Sequence, residues 1–313
     1  NPTIIHLHNI HGHYLNFPIL FRFLKKSKIE VVWTFHDCWP FTGKCAHFTK
    51  AKCNKWKIGC SNCQQLHTYP DSEIDRTKRN YIDKKNYFTS LDNLHIVTVS
   101  KWLKKIVEES FFKEKDIRCI YNGIDTNIFK PTESVLRKKL KIEDKFIILG
   151  VASVWNSGKG LDTFIELAKE IDEDCVILLI GVSKEQINSL PSNIIGISRT
   201  ENVRELVQFY TIADILINCS IEETFGLVVA EAMACGTPAI VYNSTACPEV
   251  INNETGKIIY GNDIVELIEA IESFYNINSK DILKKCRARI IDFYNIDLML
   301  KKYLELYRNI DDK

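Results

Sequence analysis

The sequence predicts an α/β protein of two domains, each organised around a parallel sheet. Three observations predict it. Apolar β-rich runs alternate with amphipathic helical stretches along much of the chain. Several of those runs are continuously apolar, as in strands covered on both faces. A stretch punctuated by Gly and Pro, "NGIDTNIFKP" (Asn122 to Pro131), divides the series in two. With 313 residues, 45% of them apolar and 26% charged, the chain has the length and balance for about two folded domains.

In chain order, "TIIHLH" reads as a strand followed by polar, turn-like residues, and "IEVVWTFHD" as a second strand running into His36 and Asp37. "LHIVTVS" is a third. In "KWLKKIVEESFF", which follows it, Trp102, Leu103, Ile106 and Val107 fit one helical face. "IRCIYNGID" completes the first series. Beyond the break, "FIILGVAS", "CVILLIGV", "NIIGIS", "ADILINCS" and "PAIVYN" read as strands. "GLDTFIELAKEI", "NVRELVQFYTI", "FGLVVAEAMAC" and "DIVELIEAIESFY" read as helices. The expected organisation is a first domain at 1–122, holding a cysteine-rich loop at 38–67, and a second at 123–292. A final helix at 293–313, with "LMLKKYLELYRNI", has room to cross back to the first domain.

Lys plus Arg is 41 and Asp plus Glu is 40, so no global basic field exists and no nucleic-acid partner is expected from charge. No apolar run reaches the roughly 18 residues of a membrane span. The N-terminal stretch lacks the basic leader of a signal peptide, and the expected compartment is the cytoplasm, where thiols stay reduced.

"NSGKG" at 156–160 fails as a phosphate loop, because Gly160 stands where the metal-binding hydroxyl should be. Its glycines still follow a strand and open a helix. Backbone N–H groups and Lys159 either meet an anion there or form a plain turn with a solvated lysine. "DED" at 172–174 precedes an apolar run at the entrance of a strand and reads as a solvated turn. "ETFGLVVAEAMACGTP", Glu223 to Pro238, says more. Glu223 precedes a helix start, and Glu231 lies about two turns in on the same broad side. The N–H groups of Phe225, Gly226 and Leu227 would cradle a phosphate, and the carboxylates would accept from sugar and ribose hydroxyls. The alternative is helix-terminal charge and a solvated glutamate.

Five of the eleven cysteines fall between His36 and Cys63. Cys45, Cys53, Cys60 and Cys63, spaced C-x7-C-x6-C-x2-C, fit either a closed structural zinc site or buried free thiols. Lys44, Lys50, Lys52, Lys55 and Lys57, with Phe48 and Trp56, fit either a peripheral contact with an anionic membrane or a solvated loop whose Trp covers the staple. A zinc-knuckle nucleic-acid binder is a rival reading that leaves the two α/β domains idle.

The run "SIEETFGLVVAEAMACGTPAIVYNSTACPEVI" resembles the glutamate-spaced donor motif of the retaining family-four glycosyltransferases, which have the GT-B fold. "IYNGIDTNIFKP" resembles their interdomain crossover and "GVASVWNSGKGLDTFIELA" their first donor-phosphate segment. "VVWTFHDCWPFTGKC" and "VTVSKWL" resemble the amino-terminal half of a polysaccharide-biosynthesis branch, so the resemblance runs from about Asn1 to the end of the second domain.

The resemblance implies two Rossmann-like domains facing a cleft and transfer of a hexosyl or N-acetylhexosaminyl group from a nucleoside-diphosphate sugar, with retention. The acceptor would be a glycan or lipid-linked glycan in capsule or lipopolysaccharide synthesis, at the inner face of the membrane. Glu223 matches the acid beside the reacting carbon, Glu231 the acid on the ribose, and Lys159 the lysine on the leaving phosphate. Phe225, Gly226 and Leu227 match the backbone cradle, and His36 the first-domain histidine against the donor sugar. No metal is required for catalysis. Two departures stand out. Ser153 replaces a common phosphate-binding arginine, for which Trp155 is expected to compensate by packing on the donor. No glycine-rich loop precedes "IIHLH", so the first domain is expected to be incomplete and a non-catalytic nucleotide-sugar binder is the alternative.

Overall fold

The structure, a computed structural model, describes residues 2–12, 14–261, 263–275 and 279–312. It divides into two compact units, Asn1–Tyr121 with Met299–Lys313, and Asn122–Leu298.

The first unit holds a four-stranded parallel sheet in the order β1 (Ile4–Leu7), β2 (Glu30–Phe35), β3 (Leu94–Thr98), β4 (Asp116–Cys119). β2 is buried nearly throughout, as its unbroken "VVWTF" requires. The connections hold α1 (Phe17–Ser27), α2 (Thr77–Phe88) and α3 (Lys101–Glu108). α1 begins at an Asn16 side-chain cap with Pro18 in its first turn, and α3 at a Ser100 cap. One face of the sheet packs Trp33, Phe21, Phe88 and Phe112 as tilted and edge-to-face rings. Val32, Val97 and Ile120 form a core cluster with Leu306 and Ile310 near the chain's end.

The second unit is a six-stranded parallel sheet. Its strands are β5 (Phe146–Val151), β6 (Cys175–Ile180), β7 (Ile194–Ile197), β8 (Ile215–Asn218), β9 (Ala239–Tyr242) and β10 (Gly256–Ile259). Their order is β10-β9-β8-β5-β6-β7, the doubly wound arrangement in which the chain runs outward one way and then restarts beside its first strand. The reversal lies between β5 and β8, which pair directly. The helices are α4 (Leu136–Leu140), α5 (Leu161–Glu170), α6 (Lys184–Ile187), α7 (Val203–Ile212), α8 (Leu227–Ala234), α9 (Cys247–Val250), α10 (Ile264–Glu272) and α11 (Ser279–Tyr294). α8 is almost wholly apolar and is buried on most sides, unlike the amphipathic α5 and α10. α12 (Ile296–Asp311) starts in this unit and contributes its residues from Met299 onward to the first.

Among the described residues no helix is long and apolar enough to cross a membrane.

Candidate functional site

In an open parallel sheet, loops leaving two neighbouring strands in opposite directions open a crevice at the carboxyl ends. Here those are the loop from β5 to α5 and the loop from β8 to α8. The first carries Lys159 and the second Glu223, and the two side chains form an ion pair, Lys159 Nζ on Glu223 Oε1, both partly exposed. Residues 64 apart in sequence thus meet at the strand-order reversal.

Backbone geometry fixes both loops. Asn156 Oδ1 accepts from the N–H groups of Gly158 (2.8 Å) and Lys159 (3.2 Å), closing a tight turn. Gly160 then starts α5 at φ +81°, where a β-carbon would lie 2.4 Å from that of Cys219, the residue after β8. Gly158 O accepts from Ile221 N–H at 3.1 Å, so the two loops are joined directly. Glu223 N–H donates to Thr245 Oγ1 at 2.9 Å, and Ala246 N–H donates to Glu223 O at 3.1 Å. Thr245 holds this clamp at φ +52°, an unusual conformation for a β-branched residue.

Gly226 initiates α8 at φ +96°, with no side-chain cap. The first N–H groups of α8 therefore point out of an uncapped, positive helix end beside Glu223. Phe225 is buried against Tyr294, leaving backbone as its contribution, while Leu227 is exposed. Glu231 is the fifth residue of α8, one turn in and not two, because the helix begins at Leu227. Burial pushes its carboxyl above the usual range, and a hydrogen bond from Tyr210 OH to Glu231 Oε2 (2.8 Å) pulls it part of the way back.

Ser153 is exposed on the loop after β5. Trp155 corrects an expectation: its ring is buried edge-on to Phe164, and its indole N–H donates to Ile180 O at 2.8 Å. It forms the floor of the loop, with no open face to pack on a donor. Two larger cavities of this unit, about 430 and about 540 Å³, lie away from Lys159 and Glu223, at the amino ends of the strands and beside α7.

His36 sits in the first unit just past β2, among histidines that sequence reasoning missed. His36 Nε2 lies 2.9 Å from His8 Nδ1, and His8 stacks on His6 at 4.3 Å. His6 bonds Tyr307 OH (2.6 Å) and Thr34 Oγ1 (2.8 Å), and Thr34 Oγ1 meets Tyr303 OH at 2.8 Å. Burial, with His8 and His36 adding to it, lowers His6 to about 4. Burial lowers His8 and His36 as well, so the three imidazoles are neutral near pH 7. Beside them Asp37 accepts from His11 Nε2 (2.7 Å) and from Trp39 N–H (2.8 Å). The period-two spacing of His6 and His8 in "IIHLH", with His36 directly after the next strand, was the available signal.

In the loop at 38–67 the aromatic side chains follow the second of the two readings, in which Trp56 covers the loop. Phe48 and Trp56 are buried and stacked on each other at 4.9 Å, so they present no aromatic face to a membrane. Lys44 is buried, donating to Gln65 O and Thr68 O, and Lys55 donates to Ser61 O and Asn62 O. Lys57 pairs with Glu109 at 2.6 Å. Cys45, Cys53, Cys60 and Cys63 line one small cavity.

Comparison with known proteins identifies the family and the fold. The profile of "Glycosyl transferases group 1" matches residues 132–291, and that of "Glycosyltransferase Family 4" matches residues 1–128. WcaC of Escherichia coli K12, named as a colanic acid biosynthesis glycosyl transferase, is 25% identical over 99% of this chain and 77% of its own length. The N-acetyl-alpha-D-glucosaminyl L-malate synthase of Bacillus anthracis is 27% identical over 70% of this chain and 61% of its own. Among solved structures, sucrose-phosphate synthase from Thermosynechococcus elongatus superposes with a TM-score of 0.75 at 20% identity, over 99% of this chain and 74% of that one. Anabaena HepE in complex with UDP superposes at 0.72 and 15% identity, over 94% and 76%. At those identities the likeness is one of fold, two parallel-sheet α/β domains of the GT-B type.

Proposed function

Because this chain belongs to the group 1 glycosyl transferases, we propose that it moves a hexosyl or N-acetylhexosaminyl group from a nucleoside-diphosphate sugar to a glycan or lipid-linked glycan, with retention of configuration. The observation that carries the reading is the Lys159–Glu223 pair at the strand-order reversal, beside the uncapped start of α8. A lysine, a helix N-terminus and a carboxylate together suit a ligand that is a diphosphate at one end and a polyol at the other.

In this reading the diphosphate competes with Glu223 for Lys159 and lies over the first N–H groups of α8. Positive charge placed where the leaving group gains negative charge stabilises departure without a divalent metal. Glu223, released from Lys159, turns to the sugar hydroxyls and supports the reacting carbon electrostatically. Glu231, held by Tyr210, accepts from the ribose. A leaving-phosphate oxygen takes the acceptor's proton on the face that the phosphate vacates, which gives retention. His36 takes the role on the donor sugar that the family resemblance implies. Synthesis of a surface polysaccharide is supported by the name of the Escherichia coli relative and by a Klebsiella pneumoniae protein named for its cps region, 22% identical over 98% of this chain. UDP is the first nucleotide to try, given the ligand of the HepE structure.

The test is calorimetric titration with UDP, GDP, ADP and dTDP, followed by transfer assays with the matching sugar nucleotides. Glu231→Ala should abolish or strongly weaken binding. Glu223→Ala should leave nucleotide affinity equal or higher, because it frees Lys159, while lowering transfer. Unchanged transfer in both variants refutes the site, and binding without transfer or donor hydrolysis indicates a non-catalytic binder.

A further inference from the structure

The cysteine-rich loop holds a second constellation. Residues 38–67 contain just two short 3₁₀ turns, Trp39–Phe41 and Lys55–Lys57, yet the loop buries Phe41, Phe48 and Trp56. A loop with so little ladder hydrogen bonding is the kind of segment that a cross-link or ion stabilises.

Four thiols, those of Cys45, Cys53, Cys60 and Cys63, line a single cavity of about 30 Å³, the size of a water molecule or an ion. Cys45 Sγ and Cys63 Sγ are 4.0 Å apart. Two sulfurs on one tetrahedral zinc, each about 2.3 Å from the metal, stand about 3.8 Å apart, whereas a disulfide needs about 2.05 Å.

Burial keeps the metal-free thiols of Cys45 and Cys60 protonated, yet two N–H donors are already aimed at their sulfurs. Gly43 N–H donates to Cys60 Sγ at 3.2 Å, and Gln65 Nε2 donates to Cys45 Sγ at 3.4 Å. Such outer donors orient metal-bound sulfur. Gly43 is confined to glycine by contact: a β-carbon would lie 2.6 Å from Thr77 O and 2.8 Å from Cys60 Cβ. Asp75 links Cys63 N–H (2.7 Å) to the start of α2 at Thr77, fixing the last thiol against a regular element.

Two buried lysines border the same thiols. Lys84 is fully buried, donating to Trp39 O (2.7 Å) and Thr42 O (3.0 Å) above the Trp39 ring. Its electrostatic neighbours are Asp37, which already accepts from His11, and the sulfurs of Cys60 and Cys45. Lys44, also buried, acts on Cys45. Burial drives Lys84 toward its neutral form, and four thiolates around a divalent ion, carrying two net negative charges, would favour the ammonium form of both lysines instead.

We propose that Cys45, Cys53, Cys60 and Cys63 bind one structural zinc ion, with Lys44 and Lys84 balancing its charge. Binding replaces four S–H bonds by four Zn–S bonds and releases four protons to solvent, with no change of oxidation state. Four protein ligands leave no open position, so the ion staples the loop and takes no part in transfer. Among the described residues no three His, Cys, Asp or Glu side chains form a ready-made ion cage. The inference therefore rests on the shared cavity and the spacing of its sulfurs, the metal drawing them the remaining distance.

The experiment needs no sugar nucleotide, so its outcome is separate from that of the proposed transfer. The full chain, purified from zinc-supplemented cells, is weighed by native mass spectrometry and its metal measured by plasma mass spectrometry. One zinc per chain is expected, lost in Cys53→Ser and Cys63→Ser and retained in Cys175→Ser, whose thiol lies in the other unit. If the loop variants do not fold, cobalt(II) exchanged into the unaltered chain should give the spectrum of a tetrahedral tetrathiolate. Metal-free protein with these thiols open to alkylation overturns the proposal. So does a mass lighter by the hydrogens of two disulfides, or a coloured iron–sulfur cluster in place of zinc.

Discussion

Replacing Tyr210 by Phe removes one oxygen and keeps the ring. Tyr210 is wholly buried in α7, 6.3 Å from the Phe129 ring, and its hydroxyl donates to Glu231 Oε2 at 2.8 Å. A hydrogen bond to an ionised partner contributes about 1.5–3 kcal/mol net, roughly twice a neutral one. That is the expected loss of stability near neutral pH, since the space left is small. The pH dependence gives the sharper test. Burial raises the Glu231 carboxyl above its ordinary value and the Tyr210 hydroxyl opposes that rise. A folded-state value above the unfolded one means that the folded chain binds more protons, so this group costs stability as pH climbs from the ordinary carboxylate value through the folded one. Without the hydroxyl the folded value climbs further. The deficit of Tyr210→Phe should therefore be larger at about pH 7.5 than at about pH 5, read by urea unfolding at both. Nucleotide affinity should fall about tenfold or more, the equivalent of about 1.4 kcal/mol, as Glu231 loses its orientation and part of its charge. A Tyr210→Phe variant with equal deficits at both pH values and unaltered affinity would refute the view that Tyr210 holds an ionised Glu231 for the ribose.

Other consequences are as direct. Gly226→Ala puts a β-carbon at φ +96° and 3.0 Å from Cys247 Sγ. It should cost about 1–2 kcal/mol in a urea melt from the backbone conformation, a loss that adding Cys247→Ala does not restore. The histidine cluster predicts acid sensitivity of the first unit. His6, ordinarily titrating at 6.5, is lowered to about 4, so its contribution is present above pH 6.5 and is lost as pH falls through that interval. The full shift corresponds to about 3 kcal/mol, which partial exposure reduces to about 1–2 kcal/mol. His6→Gln should flatten the slope of stability against pH there relative to the unaltered chain, and parallel slopes would contradict the assignment.

Much of the second unit could be read directly from its sequence, for a physical reason. A strand covered on both faces must be apolar at every position, and "FIILGV", "CVILLI" and "AIVY" are, so β5, β6 and β9 fall where those runs fall. The helix starts at Asn202 and Asp263 carry their caps in the residue type. α2 gives no such signal: in "TKRNYIDKKNYF" the buried positions include Thr77 and Lys84 beside Tyr81 and Phe88, because that face packs on a loop whose carbonyls need donors. β10 is four residues long, with Lys257 exposed, too short for its pattern to stand out.

The same division runs through the sites. Residue type and local spacing sufficed to single out Glu223, Glu231, Lys159 and Gly226, since helix N-termini and glycine turns are properties of a few consecutive residues. Tertiary structure alone decided that Lys159 pairs with Glu223, that Tyr210 holds Glu231, that Trp155 lies under its loop, and that His36 continues into His8 and His6. These pairings depend on which strands become neighbours. In a parallel sheet, neighbouring strands are separated by whole crossover connections, so no sequence window spans both partners. The order β10-β9-β8-β5-β6-β7 brings the β5 and β8 loops side by side, and with them the two charges on which the proposed chemistry rests.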